Sequence, residues 1–145
     1  MRISTKGHYG LSSLIDIALN QAKGPVTLND IAERQSISVK YLWQVINPLK
    51  ASGLLSATRG AKGGYAVALR PDEITMLDVL TTLEGPVSIV KCLTHNDACP
   101  RIGSCVGRTV WMEMNQAVEK ALSNITLAEV LRRCKQTSNV DNYAI

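Results

Sequence analysis

Three of the four cysteines, Cys92, Cys99 and Cys105, fall within 14 residues, separated by six and then five others. Thiolates are soft metal ligands, and three of them on one loop can converge on a single ion or cluster. Pro100, Gly103 and several polar residues between them give that stretch the composition of a loop that folds back on itself. His95 lies inside it, so Cys92, His95, Cys99 and Cys105 also form a Cys3His set suited to tetrahedral structural zinc. A thiol redox switch is the third chemistry these residues offer. Thiol catalysis lacks its partners: neither His8 nor His95 stands in a recognisable nucleophile–base motif, and there is no Cys-x-x-Cys and no glycine-rich phosphate loop opening a helix. The expectation is a protein that is not an enzyme.

A second set of residues points to a polyanion. Residues 1–70 hold nine Lys/Arg against three Asp/Glu, whereas residues 71–145 hold seven against nine. Phosphate neutralisation by Lys and Arg supplies most non-specific nucleic-acid affinity, so the surplus in one half suggests a nucleic-acid partner for that half. Forty-six per cent of the 145 residues are hydrophobic, enough for a globular core. No apolar run approaches the ~20 residues of a membrane span, and the opening stretch is interrupted by Asp16 where a secretory segment would continue. No membrane partner is expected, and the expected compartment is the cytoplasm, where cysteines serve as ligands or thiols more often than as disulfides.

The elements that must position these groups follow from periodicity. Leu11, Leu14, Ile15, Ala18, Leu19 and Ala22 form one helical stripe closed by Gly24-Pro25. Thr27 and Asp30 make a capping pattern for a short helix bearing Leu28, Ile31 and Ala32 and ending near Gln35, and a tight turn follows at Ser36-Ile37. Ser38 caps a third helix with Val39, Leu42, Val45 and Ile46 inward and Lys40, Trp43, Gln44 and Asn47 outward. Pro48, which has no N–H to donate, is expected to open a further short helix capped by Asn47 and running to Gly53. Two strands, Leu54–Thr58 and Tyr65–Leu69, flank the basic tip Arg59-Gly60-Ala61-Lys62-Gly63-Gly64. This order is that of a winged helix-turn-helix, which places its recognition helix in the DNA major groove.

The candidate DNA-facing residues are therefore Ser38, Lys40, Tyr41, Trp43 and Gln44, with Arg59 and Lys62 in the wing. Gln44 can pair bidentately with adenine, Lys40 can reach guanine or phosphate, and Trp43 can meet a thymine methyl. Arg59 and Lys62 suit phosphates or a narrow minor groove.

Beyond residue 70, Thr75 and Asp78 cap a helix with Met76, Val79, Leu80 and Leu83 on one side, stopped by Gly85-Pro86. After the cysteine loop, a helix from about Val106 to Leu122 carries Val110, Met114, Ala117, Val118 and Ala121 on one face with Trp111 beside it. Too little chain remains to cover that face, so a twofold homodimer is expected, matching a palindromic double-stranded operator. Thr126 and Glu129 cap a last helix bearing Leu127, Val130 and Leu131, and the polar residues from Lys135 read as a flexible tail. The fold class is mostly α with a small β wing. Its expected divisions are a DNA-binding domain at 1–70, a cluster-binding loop with dimerisation helices at 71–134, and the tail at 135–145.

Taken together, the opening Met1-Arg2-Ile3-Ser4-Thr5-Lys6-Gly7, Ile31–Gln35, Ile37-Ser38, Lys40-Tyr41-Leu42, Arg59–Tyr65, the three cysteines and Ile125-Thr126-Leu127 resemble the iron-sulfur winged-helix regulators of bacteria. That family includes the cluster-biogenesis regulator IscR and the nitric-oxide sensor NsrR. The resemblance implies a homodimeric transcription factor whose Cys92, Cys99 and Cys105 hold an iron-sulfur cluster, expected as 2Fe-2S ahead of 4Fe-4S, with cluster state selecting promoters. Members like IscR place a histidine ligand three residues after the last cysteine, and here that position is Arg108. Members like NsrR borrow a ligand from the partner's first helix, where this chain has His8. His8 ranks first as fourth ligand, His95 second, and Asp97 and Cys134 behind. Trp43 stands where relatives often carry glutamate, which implies a different operator preference.

Overall fold

The computed structural model describes residues 1–141, with side chains through Ser138. Helix α1 (Thr5–Asn20) starts at Ser4, whose hydroxyl accepts the Gly7 N–H. Helix α2 (Leu28–Gln35) starts at Thr27, which accepts the Asp30 N–H, and ends at Ser36 in the left-handed conformation, φ 53° and ψ 43°. A non-glycine residue there costs about 1–3 kcal/mol. Burial of Ile31 and Ile37 on either side of the turn, and the Ile37 N–H bonded to the Ala32 carbonyl at 3.1 Å, hold it in place.

Helix α3 (Val39–Ala51) corrects the reading of Pro48. A single helix runs through the proline, with no break at Asn47. The proline cannot donate to the Gln44 carbonyl, but Gln44 lies exposed, where water can serve that group. Ile46 and Leu49, fully buried on either side of Pro48, keep both halves in one core. Val39, expected inward, is exposed at the first turn, and so is Leu19 near the end of α1.

The wing is an antiparallel pair, β1 (Leu55–Thr58) and β2 (Gly64–Val67), in the register Leu55↔Val67 to Thr58↔Gly64. The strands end sooner than expected at the base of the hairpin, without Leu54, Ala68 and Leu69, and β2 begins one residue earlier at Gly64. Val26 exchanges two 2.8 Å backbone bonds with Tyr65, tying the segment before α2 to the wing. A Cβ on Gly64 would sit 2.6 Å from the Val26 carbonyl oxygen, so only glycine permits this approach.

Helices α4 (Met76–Glu84), α5 (Val106–Asn124) and α6 (Leu127–Asp141) complete the chain. The starts of α4 and α6 are stapled together: the Met76 N–H donates to Ile125 and the Leu127 N–H to Ile74, both at 2.8 Å. Leu127 is thereby placed in the same core as Leu14, Ile17, Leu42, Val45 and Val79, all fully buried, and one core crosses residue 70. Helix α6 also runs on through Lys135–Asp141, residues read from sequence as a polar tail, while 142–145 lie outside the described residues. Asp16, 4% exposed, accepts from Arg34 Nη2 at 2.7 Å, from Arg34 Nε and from Gln35 Nε2, joining α1 to α2. That hydrogen bonding, reinforced by the carboxylate's charge, raises the Arg34 guanidinium above its ordinary pKa. No helix among the described residues is long and apolar enough to cross a membrane.

Candidate nucleic-acid interface and cysteine loop

Helix α3 turns Leu42, Val45, Ile46 and Leu49 into the core, which leaves Lys40, Trp43, Gln44 and Asn47 outward. Trp43 is 48% exposed and is not among the residues packed on the core. A large aromatic held in water by a fully buried opposite face is a feature of binding surfaces. Ser38 spends its hydroxyl on the Tyr41 N–H at 3.2 Å, capping the helix. Tyr41 is half-buried and meets the Tyr9 ring edge-on at 5.8 Å. These two candidates set the start of the helix, whereas Lys40, Trp43 and Gln44 are free to reach a ligand.

At the wing tip, the Gly63 N–H closes on the Gly60 carbonyl at 3.0 Å and leaves Arg59 and Lys62 exposed. Among the described residues Lys40, Arg59 and Lys62 have no carboxylate partner. The arginines that do pair are Arg34 with Asp16, Arg70 with Asp72, and Arg132 and Arg133 with Glu129. Unpaired cations on α3 and the wing are available to phosphates.

The cysteine loop is a chain of turns: His95 N–H to Lys91, Ala98 to His95, Ile102 to Cys99 and Ser104 to Arg101, at 3.0–3.3 Å. All four cysteines are free; Cys92, Cys99 and Cys134 are half-buried and Cys105 is exposed. Among the described residues no three Cys, His, Asp or Glu side chains gather into a set able to hold a metal. The three loop thiols therefore have the right donor chemistry but are not brought together within one chain, and His95 Nδ1 lies 2.9 Å from Thr94 Oγ1. His8 is exposed on α1, edge-on to Tyr9 at 5.7 Å, and joins no such set.

Cys105 is the N-cap residue of α5 and makes no side-chain cap. The first turn of α5 has no acidic residue and carries Arg108, whose Nε is buried without a partner. Farther along, the helix has two faces. Asn115, Val118 and Leu122 turn inward, while Val110, Met114, Ala117 and Ala121 are exposed, Val110 and Met114 by 48% and 49%. Val118 thus belongs to the inward face and not to the exposed stripe.

Sequence reasoning missed three polar groups: Asp16 with Arg34 and Gln35, Glu84 with Ser4, and Asn115. Asp16 and Asn115 interrupt apolar periodicities, the one available signal, but periodicity does not say whether such an interruption is solvated or partnered.

The chain matches the Rrf2 family, described as an iron-dependent transcriptional regulator, over residues 3–133. It belongs to that family. It is 40% identical to protein rrf2 of Nitratidesulfovibrio vulgaris, with 99% of each chain covered. It is 35% identical to the HTH-type transcriptional regulator IscR of Aliivibrio salmonicida, covering 90% of this chain and 77% of that one. Among solved structures, CymR, the global cysteine regulator of Bacillus subtilis, superimposes with TM-score 0.76 at 37% identity, covering 92% of this chain and 98% of that one. T. potens IscR gives the same TM-score at 36% identity, covering 94% and 90%. This Rrf2 protein is a DNA-binding transcriptional regulator, not an enzyme, on a mostly helical winged-helix fold.

Proposed function

We propose that this Rrf2 protein is a cytoplasmic homodimer that binds a palindromic operator with α3 and the wing and adjusts its affinity through an iron-sulfur cluster on Cys92, Cys99 and Cys105. The observation that carries the reading is the loop itself: three free, accessible thiols lead directly into a helix whose Val110–Met114–Ala117–Ala121 stripe is uncovered. A second copy of the helix against that stripe buries it and sets two recognition helices for two half-sites. Lys40, Trp43, Gln44, Arg59 and Lys62 form the DNA surface, and Ser38 and Tyr41 set the start of the helix that presents it. The cluster is 2Fe-2S, and its fourth ligand is His8 of the partner subunit, as the resemblance to members like NsrR implies. When bound, the cluster supplies a centre that responds to oxidation, nitric oxide or iron loss. The chain's part is to convert that response into helix placement.

The test is an anaerobic visible spectrum with iron and sulfide assays, followed by gel shifts of loaded and apo protein on the native promoter and on unrelated DNA. Matching iron and sulfide with unequal promoter affinities is expected; equal affinities in both states sink the sensing half of the proposal.

A second reading keeps DNA binding and makes the loop a thiol switch or a structural zinc site at Cys92, His95, Cys99 and Cys105. The likeness to Staphylococcus aureus CymR, solved in an oxidised form, at 35% identity and TM-score 0.70, covering 90% of this chain and 96% of that one, favours the thiol switch. Colourless protein that refuses iron and sulfide would decide for it.

A further inference from the structure

Between α4 and the cysteine loop, Gly85–Val90 runs as a strap fastened at both ends. At the near end, Glu84 Oε1 accepts from both the backbone N–H (3.1 Å) and the hydroxyl of Ser4, the N-cap of α1. Helix α1 has no acidic residue in its own first turn, so Glu84 supplies from α4 the negative charge that a helix N-terminus favours. Gly7 is buried against this carboxylate, and a Cβ there would run into Glu84 Oε1. At the far end Asn115, 9% exposed on α5, accepts the Ile89 N–H at 3.0 Å and donates to the Val87 carbonyl at 3.2 Å. Its second amide hydrogen goes to Glu119 Oε1 at 3.1 Å. The strap's last residue, Val90, is two before Cys92.

Hydrogen bonds at Asn115 and at Glu84, joined by the backbone from Glu84 to Ile89, thus form a continuous connection from α5 to the first turn of α1. That turn carries His8 and leads to Tyr9, which touches Tyr41 on the recognition helix. We propose that Glu84 and Asn115 are positioning residues that couple α5 and the cysteine loop to the start of α1, and so to α3. Its regulatory consequence rests on the sensing reading above; the coupling itself does not.

The test is a double-substitution cycle read by amide exchange at Gly7 and His8, with the core amide of Leu42 as the internal reference. Asn115→Ala is expected to speed exchange at Gly7 and His8 by at least about threefold, and to do so far less when Glu84→Ala is already present. Glu84→Gln keeps the accepting oxygen and should restore most of the Asn115 response. Unchanged exchange on Asn115→Ala, an undiminished effect in the Glu84→Ala background, or equal acceleration at Leu42 would each overturn the coupling. If Asn115→Ala does not fold, Asn115→Asp keeps the acceptor for Ile89 and removes the donor to Val87.

A second arm compares iron-and-sulfide-loaded with apo protein on a duplex selected from random sequence by the wild type. The loaded-to-apo affinity ratio should move toward one in Glu84→Ala with iron and sulfide content unchanged. A wild-type ratio of one removes the sensing reading and leaves the exchange cycle to stand alone. A wild-type ratio kept intact in Glu84→Ala removes the regulatory role of the strap.

Discussion

In residues 1–70, Leu14, Ile17, Ile31, Leu42, Val45, Ile46 and Leu49 are fully buried, whereas between Lys91 and Cys105 no side chain is buried at all. Lys40, Trp43 and Gln44, proposed to face DNA, are fixed because the opposite face of their helix is locked into close packing, where small displacements are costly. The loop cysteines are held only by successive backbone turns, which are open to water. One region brings its site ready-made; the other has its donors in order but its arrangement still to be set by a ligand or a second copy. That asymmetry suits the proposed function, in which the reading surface stays intact while the loop end changes state.

The sharpest way to test the contrast is Cys99→Ala. It should remove stable iron and sulfide uptake altogether while leaving a folded dimer with an unchanged melting temperature, measured by metal assay, light scattering and thermal melting. Global unfolding would show that the loop is a structural element after all. The matching change in the reading half is Leu42→Ala, which should cost about 2–5 kcal/mol in urea unfolding, as other fully buried leucines do. A cost near that of a surface substitution would break the claim that packing fixes α3.

Smaller effects refine the picture. Arg59→Ala should weaken DNA binding and, if its contact is to phosphate, lower the slope of log affinity against log salt by about one. No change in affinity or slope would take the wing out of the interface.

The mildest prediction concerns α6. Hydrogen bonds from Arg132 and then Arg133 hold the Glu129 carboxyl down at about 2, against an ordinary 4.5. A depressed carboxylate stabilises the fold above its unfolded value, and that contribution fades as the pH falls from about 4.5 toward about 2. Thermal melts of wild type and Glu129→Gln should therefore differ slightly at neutral pH and converge in acid. A constant difference would mean that the ion pairs contribute nothing.

The elements, their order, most caps and the core stripes were legible in the residues, because a 3.6-residue apolar period and Ser or Thr caps are local properties. The wing cations and the close spacing of the three thiols were legible too, but that the cations find no carboxylate and that the thiols are not gathered among the described residues is decided in three dimensions. Helix α3's passage through Pro48 was not legible, since it depends on Ile46 and Leu49 being buried together from both sides of the ring. The same holds for α5, where Asn115 turns inward to hold Val87 and Ile89 and the Val110–Met114 stripe is left outside. Glu84 reaches Ser4 across 80 positions, and Asp16 reaches Arg34 across 18. Partners for buried or capping polar groups come from whichever distant element packs there, so local chemistry names the groups that need satisfying and the tertiary fold alone assigns who satisfies them.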